Sequence, residues 1–184
     1  MKFIEKLIRS LLGRGVLSAT QEEPMLRTIN AEFLPGDVRE EIEHFEPYGW
    51  GSRSHPGAEV FAAFFNGDRS HGVALVVADR RYRLKLEEGE VAIFDDIGQK
   101  VHLTRDGIEV VTPKNLIGEI GGTATVTVTG SATLKASSVT IDSPTTHFTG
   151  SVTAAGDITA GTISLQQHVH VGVQSGPSNT GKPQ

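Results

Sequence analysis

The feature that most restricts the fold of this chain is a long alternation of small apolar and hydroxyl side chains over residues 123–165. Ala124, Val126 and Val128 share one face of an extended chain, and threonines occupy the other face. Serine and threonine make up 18 of these 43 residues, and only three of the 43 are charged. Because side chains on a strand alternate between two faces, the pattern predicts a run of short β-strands with one apolar face.

The same stretch contains an internal repeat. Residues 129–133 (TGSAT) recur as residues 149–153 (TGSVT), which is a period of 20. Short strands at a fixed period indicate a solenoid, in which each turn buries its apolar face on its neighbours. A single copy of the stretch has no helix to cover that face and leaves its strand edges open. Three chains wound about one axis would solve both problems, so we predict an obligate homotrimer. The alternative is that residues 97–165 fold as a second, monomeric sandwich.

The region before the alternation predicts a compact β-domain over residues 25–96. Its clearest hairpin runs from 59–65 to 72–78, with Asn66-Gly67 supplying the positive φ values that hairpin turns need. Residues 38–45 are also predicted to form a strand, although their apolar residues fit a helical stripe as well. Four or five strands in so short a region favour a small barrel, for which the OB-fold is the commonest choice.

The N-terminal segment predicts a short amphipathic helix. Apolar residues at positions 3, 4, 7, 8, 11 and 12 recur at helical spacing, and Gly13 and Gly15 end the pattern. Residues 1–14 carry a net charge of +3, whereas residues 15–100 carry −7. Since so short a helix is marginal alone, its apolar stripe is expected to pack on its own domain, or to dock on a partner or a membrane surface.

The composition of the chain argues against several classes of function. The chain has no cysteine, which excludes a disulfide scaffold, a thiolate metal site and a cysteine nucleophile. Its acidic middle region argues against a nucleic-acid partner. No apolar run reaches the ~20 residues of a membrane span, and charged residues interrupt the N-terminal segment, so no export signal is expected. No nucleophile elbow or phosphate loop is present, and we predict that the chain is not an enzyme.

His168 and His170 carry the one pattern with clear ligand chemistry. Residues two apart on an extended segment point to the same face, so both imidazoles are expected to project together. In a monomer such a pair is usually solvated, but three chains would supply six imidazole nitrogens around one axis. Six equal imidazoles favour iron, with nickel next, because zinc prefers four ligands and copper a distorted geometry. We therefore predict that His168 and His170 are ligands of a structural metal site, with all positions filled by protein.

Seven short motifs follow one another along the chain. They are PYGW at 47–50, PGAE at 56–59, GDRSHG at 67–72, GEVA at 89–92, AGDITAG at 155–161, HVH at 168–170 and GVQ at 172–174. In this order they resemble the baseplate assembly protein V family, the central tail spikes of contractile phages, and most closely its Mu-like branch. The resemblance extends from about residue 15 to residue 184.

This resemblance implies an all-β trimer with a short N-terminal helix. The implied domains are an amphipathic helix over residues 1–14, an OB-fold barrel over 15–96, an intertwined, triple-stranded β-helix over 97–165, and a pointed metal-binding tip over 166–184. One iron ion per trimer is implied, bound through six histidines, namely His168 and His170 of each chain. Calcium and chloride also occur at the tip among relatives, and Asp157 is the residue considered for calcium.

The implied function is that of a structural spike at the tip of the virion tail baseplate, which pierces the host outer membrane when the sheath contracts. No large hub domain precedes the barrel, so the tail hub is expected to be a separate partner chain that residues 1–14 contact. The alternatives are a receptor- or glycan-binding tail module and the spike of a headless contractile bacteriocin. Cell-wall hydrolysis would need a cleft with paired carboxylates, which a β-helix does not offer.

Overall fold

The computed structural model describes residues 11–172 and residue 176, and the chain divides into two compact units, Met1–Thr123 and Ala124–Gln184. In chain order the strands are β1 (Leu12–Glu22), β2 (Arg27–Glu32), β3 (Val38–His44), β4 (Glu59–Phe64), β5 (Gly72–Ala78), β6 (Val91–Phe94), β7 (Lys100–Leu103), β8 (Ile108–Val111), β9 (Thr159–Ala160) and β10 (Ile163–Ser164). Single 3-10 turns span Phe65–Gly67 and Arg80–Tyr82. The prediction of an all-β chain is confirmed for the described residues.

Five strands of the first unit form a closed barrel in the order β1-β2-β3-β5-β4. The neighbouring strands are antiparallel, except that β3 and β5 pair in parallel through two residues each. The barrel closes because β1 pairs with both β2 and β4, and closure removes the open strand edges that would otherwise invite association. The predicted N-terminal barrel is confirmed, as is a strand rather than a helix at Val38–His44.

The barrel interior is filled by apolar side chains around two aromatic rings. The buried residues are Leu17, Ile29, Ala31, Phe33, Ile42, Ala58, Val60, Ala62, Phe64 and Ala74. Phe33 and Phe64 meet edge to face, with ring centroids 5.2 Å apart, which is a favoured aromatic geometry. The guanidinium of Arg69 covers both rings at 5.2 and 4.7 Å from their centroids, and it binds Asp37 at 2.6 Å.

The predicted N-terminal helix is wrong at its C-terminal end, and its first ten residues lie outside the described part of the chain. Leu12 begins β1, so the barrel starts there rather than at residue 15. A Cβ atom on Gly15 would lie 2.7 Å from the backbone oxygen of Glu32 and 2.9 Å from Cδ1 of Phe33. Gly13 and Gly15 therefore face the interior of the barrel, where they make room for aromatic rings, and do not terminate a helix.

The hairpin predicted from β4 and β5 is confirmed, with Phe64 opposite Gly72. Its connection is longer than a tight turn, because residues 65–71 lie between the paired strands. Asn66 and Gly67 nevertheless adopt the predicted positive φ values, 54° and 73°. The Asn-Gly pair thus bends the chain inside a seven-residue loop.

Strands β6, β7 and β8 form a separate three-stranded antiparallel sheet in the first unit. The division predicted between residues 96 and 97 falls inside this sheet, in the turn between β6 and β7. The sheet contains a buried polar pair, because His102 is 8% exposed and its Nε2 lies 3.1 Å from Oε2 of Glu90. The backbone amide of Glu87 donates a hydrogen bond to the Glu90 carboxylate and holds its pKa below the ordinary value.

The second unit has little regular structure within one chain. Residues 124–157 carry no strand, and no backbone-to-backbone hydrogen bonds join them in this described segment. Large apolar side chains are exposed along it, namely Val126, Val128, Leu134, Val139, Ile141, Phe148 and Val152. Among the described residues, the segment 124–157 therefore has no partner strands for its alternating pattern. In the part of the chain that the structure describes, no helix has the length and apolar character needed to cross a membrane.

Candidate functional site

The last two strands of the second unit form a very short hairpin. Strands β9 and β10 are joined by two residue pairs, around a turn in which Gly161 has a φ of 61°. One further bond extends the ladder, from the amide of Leu165 to the carbonyl of Ile158 at 2.9 Å. A hairpin of this size is not stable in water by itself, so contacts outside the ladder must hold it.

Asp157, two residues before β9, makes such contacts. Its Oδ1 accepts a hydrogen bond from the backbone amide of Gln166 at 3.1 Å, across the hairpin. A hydrogen bond from the Ser164 hydroxyl holds the pKa of the Asp157 carboxyl below its ordinary value, and three backbone amides of the hairpin act in the same direction. The carboxylate considered for calcium is therefore already engaged within its own chain.

His168 and His170 lie directly after this hairpin, and the structure brings their rings together. The ring centroids are 5.2 Å apart and the ring planes are inclined by 75°. Nδ1 of His168 lies 2.8 Å from the carbonyl oxygen of Ser164, which also accepts the His168 backbone amide at 3.1 Å. Within the described residues of a single chain, no cluster of three histidine, cysteine or acidic side chains forms a metal site.

The chemistry of this imidazole pair fits metal ligation. A carbonyl oxygen can only accept, so Nδ1 of His168 is the donor, and in the neutral ring Nε2 then carries the lone pair that a metal ligand needs. Histidines that bind metals usually hold their second ring nitrogen in this way. Two imidazoles are fewer than the four or more ligands of a structural metal site, so in a single chain the pair would form only part of such a site.

The first unit also contains a groove of about 690 Å³. Its walls are the loop between β3 and β4, the end of β5 with the turn after it, and the end of β6. Nε2 of His55 lies 2.9 Å from Oδ2 of Asp96 and joins the barrel side to the sheet side. The ring of Tyr82 lies 5.6 Å from His55, and Arg53 and Arg83 contribute to the lining. Sequence reasoning missed this groove because its residues come from three separate segments.

A partly buried ion-pair cluster holds the loop between β3 and β4 at one end of the barrel. Arg27 donates a hydrogen bond to the backbone oxygen of Ser52 at 2.7 Å and pairs with the carboxylate of Glu46. Oε1 of Glu46 in turn accepts the Ser52 backbone amide at 2.6 Å. The PYGW motif lies between these anchors, and its Tyr48 and Trp50 side chains are exposed. The motif was visible in the sequence, but the ion pairs that hold it were not.

Two family descriptions match separate parts of the chain. Bacteriophage Mu Gp45, N-terminal, matches residues 14–81, which include most of the barrel. The GpV Apex motif matches residues 163–184, which include both tip histidines.

Two individual relatives support the same assignment. The Baseplate puncturing device gp45 of Escherichia phage Mu is 33% identical over 146 residues, which are 79% of this chain and 66% of the phage protein. The Mu-like prophage FluMu protein gp45 of Haemophilus influenzae is 28% identical over 158 residues, which are 85% of this chain and 81% of that protein. With the barrel and apex matches, these relatives show that the chain belongs to the bacteriophage Mu Gp45 family, the Mu-like branch of the phage baseplate spike proteins.

Proposed function

We propose that this chain is the central spike of a contractile phage tail and is driven through the host outer membrane when the sheath contracts. As a member of its family, it is a virion protein of the tail baseplate. The observation that carries the proposal is the apex match, which lies on a short hairpin followed by a histidine pair. The phage Mu relative is named a puncturing device, and membrane piercing is the step we carry over to this chain.

We infer that the barrel is an OB-fold that seats the spike on a separate tail hub protein. The strand order, with its single parallel pairing of β3 and β5, supports this inference because the OB-fold is a five-stranded Greek-key barrel. The chain enters the barrel at Leu12, at the same end as the β2–β3 turn and the β4–β5 loop. Residues 1–14 carry a net charge of +3, and the part before Leu12 is our candidate for the hub contact.

We further infer a homotrimer in which residues 124–157 form an intertwined β-helix. The side chain of Val126 is 87% exposed and that of Leu134 is 76% exposed in the single chain. Strand-forming segments need partners for their backbone amides and carbonyls, and neighbouring chains would provide them while covering the apolar face. Light scattering should give three times the chain mass of 19.7 kDa, and a monomer in native buffer would refute the arrangement.

At the tip we propose one iron ion per trimer, held by His168 and His170 of three chains. The close approach of the two rings and the hydrogen bond on Nδ1 of His168 support this assignment. Six imidazoles fill an octahedral shell, so the ion would bind no substrate and would act as a clamp on three chain ends. Nickel is the next candidate, and metal analysis of the purified protein distinguishes the two. Calcium and chloride are carried over from the resemblance without assigned ligands.

The piercing role is tested with phage particles whose spike ends at Leu165. These particles should assemble, adsorb and contract normally, because the barrel and the repeat segment remain intact. Release of a periplasmic marker enzyme from the host should fall together with infectivity, since the tip is missing. Truncated particles that contract and release the marker at the wild-type rate would refute piercing by the tip.

The groove of the first unit supports a second candidate function, recognition of a host surface glycan. Tyr82 and Phe94 offer ring surfaces, and Arg53 and Arg83 offer hydrogen-bond donors for sugar hydroxyl or carboxylate groups. A glycan array that compares the wild-type protein with Tyr82→Ala tests this role. Binding that is lost in the variant would support it, and an array without binding would reject it.

We propose that the spike acts mechanically and does not catalyse a reaction. A cleared zone on a cell-wall zymogram would contradict this part of the proposal. Whether the particle is a phage or a headless contractile bacteriocin is decided by electron microscopy of the assembled particle.

A further inference from the structure

A series of hydrogen bonds leads from Asp157 to the imidazole of His168. Oδ1 of Asp157 accepts the Gln166 backbone amide at 3.1 Å and so ties the segment just before β9 to the segment after β10. The Ser164 hydroxyl is close enough to help lower the pKa of the same carboxyl. The Ser164 hydroxyl oxygen also accepts the amide of Gln167 at 2.9 Å. Through these bonds Asp157 fixes the turn that begins at Ser164 and ends at His168.

The final contact of this series, between the Ser164 carbonyl and His168, determines which ring nitrogen of that proposed metal ligand carries the proton. The carbonyl oxygen of Ser164 accepts both the backbone amide and Nδ1 of His168, at 3.1 and 2.8 Å. An imidazole that donates from Nδ1 is the tautomer whose Nε2 carries the free lone pair. The orientation and the tautomer of this ring therefore depend on where the Ser164 carbonyl lies.

We propose that Asp157 is a positioning residue for the tip metal site, because it holds the Ser164 turn that keeps His168 in the Nδ1-protonated tautomer. This inference rests on the proposed iron site. It extends that site to a residue outside the segment 163–184 that matches the apex motif. The hairpin has only two residue pairs, so removal of the carboxylate leaves few other contacts to keep the turn in place.

The test compares full-length Asp157→Ala with Asp142→Ala, which removes a carboxylate from the same unit outside this contact chain. Iron affinity is measured by competition between the protein and a coloured Fe²⁺ chelator. The trimer mass is followed by light scattering. Loss of a group that orients a metal ligand typically weakens metal binding about 10–100-fold, so Asp157→Ala should fall in this range and Asp142→Ala should match the wild type.

A second readout separates positioning from a general loss of structure. In the metal-free protein, ¹⁵N chemical shifts of the His168 ring report which nitrogen carries the proton. The wild type should be mainly Nδ1-protonated, and Asp157→Ala should shift the population toward the Nε2-protonated form. Asp157→Asn keeps an acceptor for the Gln166 amide, so it should restore much of the wild-type affinity and tautomer ratio.

The outcomes distinguish this inference from the proposed site itself. A wild-type protein that binds no Fe²⁺ would refute the metal site and with it the positioning role. A wild type that binds Fe²⁺, with an Asp157→Ala variant of equal affinity or unchanged His168 tautomer, would overturn the positioning role alone. If Asp157→Ala does not fold, Ser164→Ala takes its place, because it removes the hydroxyl that accepts the Gln167 amide but keeps the Ser164 carbonyl. A Ser164→Ala variant with neither weakened binding nor a shifted tautomer, at wild-type mass, then counts against the role.

Discussion

Replacement of Gly15 by alanine tests the packing of β1 inside the barrel. In the structure the added Cβ would lie 2.7 Å from the Glu32 carbonyl oxygen and 2.9 Å from Cδ1 of Phe33, whereas ordinary contacts begin near 3.4 Å. One of these neighbours is backbone, so the clash is not relieved by rotating a side chain. Adding one methyl group to a packed interior destabilises the folded protein by about 1–3 kcal/mol. Alanine also gives the unfolded chain fewer conformations than glycine, and this stabilises the folded protein by roughly 0.4–1 kcal/mol.

The expected net effect of Gly15→Ala is therefore a destabilisation of about 1–2 kcal/mol. For a chain of this size that lowers Tm by roughly 2–8 °C in a calorimetric scan of the full-length protein. Gly51→Ala is the matched control, because its new Cβ meets only one atom, at 3.9 Å, and it should be neutral or slightly stabilising. A Tm for Gly15→Ala at or above that of wild type would refute the packing of β1 against Phe33.

The remaining predictions concern the tip, the N-terminus and pH. His168→Ala with His170→Ala should abolish bound iron and leave the trimer mass unchanged, as measured by metal analysis and light scattering; retained stoichiometric iron would mean other ligands. Deletion up to residue 10 should leave a folded trimer that no longer attaches to tail hubs in an assembly assay, whereas a deletion that extends past Leu12 should also lower Tm because it removes residues that pair with β4. Burial lowers the pKa of His44 below 6.5; Arg27 acts in the same direction, and Glu46 and Glu22 oppose it. The unfolded chain therefore binds more protons than the folded chain, so the free energy of unfolding should decrease as pH falls below 6.5. Urea titrations should show a smaller decrease for His44→Gln.

Local patterns predicted the strands of the barrel but not the role of its glycines. The hairpin of β4 and β5 was visible because alternation and Asn-Gly are properties of neighbouring residues. The contact of Gly15 with Phe33 joins residues 18 positions apart, and the helical spacing before Gly13 gave a competing local signal. A stripe of apolar residues followed by glycine is the pattern of a helix end, and only the packing in the barrel decides against it.

At the tip, too, features that depend on neighbouring residues were predicted and features that depend on distant residues were not. His168 and His170 were identified from their spacing alone, and the structure brings their rings together as expected. The positioning role proposed for Asp157 was not predicted, because its neighbours Ser164 and Gln166 are reached only after the chain has turned at Gly161. Sequence patterns identify candidate ligands through their chemistry, whereas the groups that orient those ligands depend on the fold of the hairpin.

The segment with the 20-residue repeat, residues 129–153, offers a sharper test of assembly, because its sequence gives both the period and the alternation of side chains. Deleting residues 130–149 joins Thr129 to Gly150, so Val152 takes the position of Ala132 and stays on the same face as Val128. This variant should form a trimer with a shorter β-helix.

Deleting residues 130–148 instead leaves one extra residue at the junction, and in a continuous strand a shift by one residue moves every later side chain to the opposite face. The proposed trimer would bury only apolar side chains on its inward face, so the 19-residue deletion should aggregate or remain monomeric while the 20-residue deletion assembles. Light scattering of the two purified variants gives the comparison. Equal trimer yields from both deletions would mean that the repeat does not set the register of a shared core, and the β-helix would have to be abandoned for this segment.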